Sequence, residues 1–373
     1  MATKKKETTT ETESNDATSA DVPTSIPSEQ EQGAQELSDP SAPVSEKLSA
    51  DEQALHDKTV KELKRIKQVG DTVADKLFSA GYYTVDDVAS TTVGDLVGKT
   101  GMPKATAETV IANALSVTTL DSVEECADIY KAEQAQTFLS TGSPSIDATL
   151  LHGGYRRGII TELHAQGGMG KTQSAITAAV MATRPLTEGG LATDVIYVDT
   201  EGSFTVTRLR QIAIARSFDP DEVQSHVHLL RCKNTSRQLL TMETIRAYNA
   251  KHPVRLVIVD SVISLFRAEF IGRGTLQDRQ SRLNRYLHDL STFARNNDAV
   301  VLITNQMMAN PEAMFASPYT AVGGLVLNHA CQCRLYLRSA KQNKVIMRLE
   351  KSPYLPDGEA VACINQKGLC DAA

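Results

Sequence analysis

Ala165-Gln166-Gly167-Gly168-Met169-Gly170-Lys171-Thr172 constrains this chain more than any other stretch. It follows a β-branched strand pattern, Gly158 to Leu163, and precedes a helix-prone segment, Gln173 to Thr183. A glycine-rich turn between a strand and a helix is the setting of a phosphate-binding loop. The glycines let backbone N–H groups turn inward around phosphate oxygens, and the following helix presents its positive end. Lys171 can then reach the β- and γ-phosphates, and the Thr172 hydroxyl can hold Mg²⁺. The nucleotide-binding set read from this stretch is Gln166, Gly167, Gly168, Met169, Gly170, Lys171, Thr172 and Gln173, with ATP and Mg²⁺ as cofactors. Its first position is alanine where glycine is usual, the smallest change available there.

A chain of 373 residues with 41% hydrophobic content can bury a sizeable core and is longer than one average domain. The first fifty residues hold ten Asp or Glu and four Lys, a net of −6 that equals the formal charge of the whole chain. Acidity therefore belongs to the amino terminus, which is rich in Thr, Ser, Glu, Gln and Pro and nearly free of large apolar side chains. Such a segment cannot offset its ordering entropy, so residues 1–55 read as a disordered acidic tail. Electrostatic regulation of a nucleic-acid site and plain solubility or tethering both remain open for it. No run of 18 apolar residues occurs, and no apolar stretch follows Lys4 to Lys6, so no membrane role is expected. The six cysteines lack any C-x-x-C spacing, which favours free thiols in a reducing cytoplasm over zinc. Cys331 and Cys333 are expected to alternate on a strand and to pack.

Residues 56–118 show short helical segments punctuated by glycine: Val69-Gly70-Asp71 before Thr72 to Ala80, and Gly101-Met102-Pro103 before Ala105 to Leu115. The pattern resembles a tandem helix-hairpin-helix domain, whose hairpins offer backbone N–H groups to nucleic-acid phosphates without reading bases. Gly70, Gly101, Lys99 and Lys104 are its candidate contacts. A small helical bundle that only supports assembly is the competing reading. Residues 119–139 form a linker.

From residue 140 to 373, strands and helices alternate as expected for a mostly parallel sheet covered on both faces. Val195 to Asp199, Leu256 to Asp260 and Val300 to Thr304 are short β-branched runs that each end in a polar residue. Ligands gather at the carboxyl ends of such strands. Asp260 reads as the carboxylate that accepts from a Mg²⁺-bound water. Glu201, in Asp199-Thr200-Glu201-Gly202, is the candidate general base, set to polarise a water in line with the γ-phosphate. Gln306, ending Thr304-Asn305-Gln306, is placed to sense the γ-phosphate, with a purely structural amide as the alternative. The catalytic set is thus Glu201, Lys171 and Gln306, and the metal set Thr172 and Asp260.

These residues, with Leu139 to Ser143 and the run Phe266 to Leu276, resemble the RadA recombinases of archaea, a branch of the RecA-like strand-exchange proteins. The similarity spans about Thr59 to Asp371, and its motifs, including Gly323-Gly324 and Arg334-Leu335-Tyr336-Leu337-Arg338, occur in family order. The resemblance implies a RecA-like P-loop ATPase core that forms filaments on single-stranded DNA and exchanges strands with duplex DNA. Two DNA-binding loops are implied. The first is about Arg267 to Arg279, with Arg267, Arg273, Gly274 and Arg279; the second is Met307 to Asn328, with Met308, Gly323 and Gly324. A solvated helix face is the competing reading for Arg282 and Arg285. The resemblance further places Arg208 against adenine, and His329 and Pro353 beside the nucleotide of an adjacent subunit.

Two departures from the family pattern carry information. Where relatives have an aspartate that neighbours monovalent cations, this chain has Lys351, whose ammonium can take a mobile cation's place; potassium-independent activation follows. The family's Phe-x-x-Ala polymerisation plug falls on Val123-Glu124-Glu125-Cys126, facing Leu229 and Leu230 on the receiving strand. A smaller knob against a bulkier pocket suggests compensation, so Val123, Cys126, Leu229 and Leu230 are the candidate self-assembly residues, in a ring or a helical filament. Two other readings stand beside the recombinase: a paralogue acting as a mediator of another recombinase, and a structural DNA-binding protein that uses ATP only to assemble. Mediator partners and a cytoplasmic, nucleoid-associated location complete the expectations.

Overall fold

The computed structural model describes residues 50–118, 125–270, 272–309, 319–340 and 344–372. Val123, residues 1–49 of the acidic tail and the middle of the second expected loop lie outside the described residues. The helix Ala50–Leu63 begins inside the stretch read as tail. Residues of high helix propensity, Ala50, Glu52, Gln53, Ala54 and Leu55, extend a helix that is anchored by the buried Thr59 and Leu63.

Short helices follow at Asp71–Ser79, Val85–Ala89, Val93–Thr100 and Lys104–Val117. They close over their own apolar cluster, which includes Leu63, Ile66, Leu77, Leu96, Val110 and Ile111. Gly101 ends one helix with φ of +66°, a left-handed conformation that side-chain-bearing residues rarely adopt. Ion pairs between Lys99 and Glu243 (2.7 Å) and between Asp95 and Arg285 (2.6 Å) join this module to the larger core.

The larger core is built on strands β1 (Ile160–Ala165), β2 (Asp194–Asp199), β3 (Val227–Arg231), β4 (Val254–Asp260), β5 (Val300–Ala309), β6 (Tyr319–Ala321), β7 (Cys333–Ser339), β8 (Lys344–Lys351), β9 (Gly358–Asn365) and β10 (Gly368–Asp371). Their order is β10-β9-β8-β7-β1-β5-β4-β2-β3, with β6 paired to β5. From β7 to β3 every pairing is parallel, whereas β7 to β10 form an antiparallel extension. The parallel strands are near-continuous apolar runs because helices cover both faces. One face packs the helix Lys171–Ala182 against Leu163, Tyr197, Ile258 and Leu302; the other packs the helix Leu276–Asn296 against Val257, Val259, Val301 and Ile303.

β1 begins at Ile160 rather than Gly158, because Gly158 sits in a left-handed turn with φ of +77°. The next helix starts at Lys171 rather than Gln173, directly after Gly170, whose φ of +94° closes the loop. Cys331 precedes β7 rather than alternating with Cys333 along it, since the helix Gly324–Ala330 ends immediately before it. Both thiols are buried. No helix among the described residues is long and apolar enough to cross a membrane.

Candidate nucleotide site and its link to the arginine loop

β1 delivers its carboxyl end to the glycine loop, and β2, β4 and β5 bring Glu201, Asp260 and Gln306 to the same edge of the sheet. A cleft of about 450 Å³ is lined by Gly167, Gly168, Lys171, Thr172, Glu201 and Gln306, among others. Gly167 and Gly168 face open space on the side where a Cβ would stand, as a cradle for phosphate oxygens requires. Lys171 Nζ donates to the carbonyls of Ala165 (3.1 Å) and Gln166 (3.0 Å), which holds the side chain back along the loop. Burial pulls the Lys171 ammonium below the ordinary lysine range, while Glu201 and Asp260 pull it the other way. An anion entering the cleft offsets that penalty by favouring the charged ammonium, so the residues present fit a nucleoside triphosphate.

Glu201 is positioned by Asp199, whose Oδ1 accepts from the backbone N–H groups of Glu201 (3.2 Å), Gly202 (2.8 Å) and Ser203 (3.2 Å). Asp199 is thus a functional residue that the sequence reading missed, although an aspartate followed by Thr-Glu-Gly is a turn-forming signal. Gln306 Nε2 donates to Glu201 Oε1 (2.7 Å), and Gln306 Oε1 accepts from Arg267 Nη1 (3.1 Å). One amide therefore joins the candidate base to the first candidate DNA residue.

Asp260 is 1% exposed, and its carboxylate accepts from Tyr197 Oη (2.8 Å) and from Thr304 Oγ1. A role toward Mg²⁺ would pass through water at its remaining accessible lone pairs, whereas Thr172 lies in the cleft wall. Arg208 Nε donates to Gln173 Oε1 (2.7 Å), and its other nitrogens reach the carbonyls of Asn365 and Gln366. Met169 packs against the apolar core beneath the loop.

His329, Lys351 and Pro353 are not brought to this cleft. Lys351 pairs across Arg334 at the start of β7, level with Glu162 of β1, about 10 Å along the strand from Ala165. Lys351 Nζ donates to the carbonyls of Asn328 and Cys331 (2.9 Å), where it caps the helix Gly324–Ala330. His329 on that helix and Pro353 in the following turn are exposed.

The DNA candidates divide. Arg267 lies on the helix Ser264–Glu269, Gly274 in the single turn Arg273–Thr275, and Arg279 is half-buried on the helix Leu276–Asn296. Arg273 belongs to the same turn. Arg282 lies over the Phe270 ring, and Arg285 is engaged with Asp95 rather than simply solvated. Met308 is exposed on the outer part of β5, and Gly323 (φ of +98°) and Gly324 (φ of +58°) turn the chain into the helix that follows. In the small module Lys99 is tied to Glu243, leaving Lys104 the more exposed cation of the pair.

For self-assembly, Cys126 is exposed at the start of the helix Cys126–Ala135. Leu229 and Leu230 are half-buried on β3, the strand that ends the sheet, so an outer row of backbone groups faces away from it. Among the described residues no cluster of His, Cys, Asp and Glu could hold a metal by itself.

Fold and loop define an α/β protein with a phosphate loop at the carboxyl edge of a mostly parallel sheet, preceded by a helix-hairpin-helix module. Residues 133–372 match the Rad51 family, and residues 60–114 match the SAM-like helix-hairpin-helix tandem. The chain is 39% identical over 318 residues to the DNA repair and recombination protein RadA of Methanoculleus marisnigri, covering 83% of this chain and 98% of that protein. It is 38% identical over 312 residues to the protein of the same description from Aeropyrum pernix, covering 84% and 97%. The chain belongs to the Rad51 family and is of the archaeal RadA type.

Proposed function

We propose that this protein is a DNA-dependent ATPase that assembles on single-stranded DNA as a helical filament and carries out homologous pairing and strand exchange in DNA repair. The observation that carries the reading is the hydrogen-bond chain Arg267–Gln306–Glu201, which joins the arginine loop to the candidate general base. A DNA phosphate that draws Arg267 away frees Gln306 Oε1, so nucleic-acid binding is felt at the group that orients water.

The glycine loop and Lys171 bind the triphosphate, and Arg208 with Gln173 borders the base. Mg²⁺, held by Thr172 and through water by Asp260, would neutralise charge on the phosphate oxygens. Glu201 takes the water's proton while Gln306 holds the carboxylate in place. His329 and Pro353 contribute to the nucleotide of a neighbouring copy, which makes assembly and turnover one coupled equilibrium. Cys126, Leu229 and Leu230 belong to the assembly surface, and Val123 is assigned to it from the sequence alone.

Strand exchange between circular single-stranded and linear duplex DNA, with ATP and Mg²⁺, tests the reading. Product is expected from the native protein and not from Lys171→Ala. DNA-stimulated hydrolysis without product would favour a mediator instead.

Lys351 supports a second expectation. Its ammonium already neutralises the helix-end carbonyls of Asn328 and Cys331, so no mobile cation is needed there. Exchange of sodium for potassium should leave DNA-stimulated ATPase essentially unchanged, and a several-fold rise would contradict this.

A further inference from the structure

β9 and β10 form a hairpin beside the nucleotide cleft. In its antiparallel register Cys363 stands directly opposite Cys370, and their Sγ atoms are 3.0 Å apart. Both are half-buried, whereas Cys232, Cys331 and Cys333 are buried and Cys126 is exposed on another element. Directly opposed residues of an antiparallel pair fall within the Cα separation a disulfide spans, and bonded sulfurs lie about 2 Å apart. Closing the pair therefore takes roughly an ångström of side-chain movement, with no change of strand register.

The hairpin is fastened to the end of the glycine loop, to its helix and to Arg208. Ile364, next to Cys363, fills the space over Gly170, where an added Cβ would clash with Ile364 Cδ1. Arg208 donates to the carbonyls of Asn365 and Gln366 across the hairpin tip. Leu369 N–H donates to Thr177 Oγ1 (2.9 Å) on the phosphate-loop helix, and Arg216 donates to the carbonyls of Lys367 and Leu369. Opening of the hairpin would uncover the end of the glycine loop and withdraw the backing of Arg208.

We propose that Cys363 and Cys370 are a reversible redox pair whose disulfide locks the β9–β10 hairpin over the nucleotide site and slows nucleotide release. The effect on nucleotide rests on the ATP-binding reading above; the chemistry of the pair does not. The oxidant is a small disulfide such as oxidised glutathione. The Cys363 thiolate attacks one of its sulfurs, forming a mixed disulfide and releasing one glutathione thiolate. Cys370, deprotonated, then attacks the Cys363 sulfur and expels the second. Two protein thiols lose two electrons and two protons, and one glutathione disulfide becomes two thiols. Excess reduced thiol reverses both steps.

Lys367 lies between the two cysteines, so trypsin places them on separate peptides, Ser352 to Lys367 and Gly368 to Ala373. The full-length protein is equilibrated with oxidised or reduced glutathione, free thiols are alkylated, and the unreduced digest is mapped by mass spectrometry. The expected result is one disulfide-linked pair of these two peptides in the oxidised sample, separated by reductant. Alkylation of both cysteines after oxidation, or linkage to any other cysteine, would overturn the pairing.

Release of a fluorescent methylanthraniloyl ATP is then followed in both redox states. Oxidised native protein should release it several-fold more slowly than reduced protein. Cys363→Ser should release it at the reduced rate in either buffer. A linked hairpin with unchanged release would overturn the lock. Failure of the reduced protein to bind the analogue would defeat the nucleotide reading and the lock together, while the peptide map still decides the redox pair.

Discussion

Glu201→Gln is expected to lower DNA-stimulated ATP turnover by about 100-fold or more while leaving ATP binding intact, since a positioned general base contributes about 10²–10⁴ in rate. The substitution keeps the shape of the side chain, and an amide oxygen can still accept from Gln306 Nε2 as the carboxylate does at 2.7 Å. Asp199 continues to hold the turn through the backbone N–H groups of Glu201, Gly202 and Ser203. Only basicity is lost. Phosphate release with single-stranded DNA measures turnover, and titration with a fluorescent ATP analogue measures binding. Turnover within a few-fold of native would remove Glu201 from the role of base. Loss of binding would mean that it holds the cleft open rather than acting on water.

Arg334→Leu should destabilise the fold by about 3–5 kcal/mol, because it leaves a buried carboxylate without its charged partner. Glu162 is 0% exposed, and Arg334 Nε donates to its Oε2 at 2.5 Å. Burial opposes the charge on Arg334, but Glu162 more than offsets it and holds the guanidinium above its ordinary range. Glu162 Oε1 also accepts from Asn305 Nδ2 (2.7 Å), which donates in turn to the Val322 carbonyl (2.7 Å) just before Gly323. Arg334 Nη1 reaches Asn328 Oδ1 (3.2 Å) on the helix beyond. The pair therefore anchors the residue next to Gln306 as well as the far end of the second loop. Chemical denaturation should show the loss, and Glu162→Met combined with Arg334→Leu should recover most of it, since replacing both partners leaves no orphaned charge. A single-variant loss below about 1 kcal/mol would mean that water reaches Glu162.

Much of this architecture was legible in local sequence. Gly167 to Thr172 between a strand and a helix specified the phosphate loop because glycine conformations and helix ends are set within a few residues. The β-branched runs ending at Asp199 and Asp260 located the ends of β2 and β4 for the same reason, whereas β5 runs past Thr304 to Ala309. Motif order then extended the reading to Glu201 and Gln306. Element boundaries were less legible: Gly158 and Gly170 decide where β1 and the next helix start through their left-handed backbone, a detail that apolar patterning does not carry.

Tertiary structure alone decided which distant groups meet. Glu162 and Arg334 are 172 positions apart and come together because β1 and β7 are parallel neighbours in one register. Lys99, read as a DNA contact, meets Glu243 because the small module docks on the core. Lys351 stands beyond reach of its own phosphate loop because β8 runs antiparallel to β7, and Cys363 faces Cys370 because β9 and β10 pair without a slip. The sequence by itself determined the phosphate loop, the strand-end carboxylates and the family, since these depend on short-range backbone geometry. Strand order and register determined the ion pairs, the Arg267–Gln306–Glu201 chain and the thiol pair, since a side chain's partner depends on which strand lies beside it.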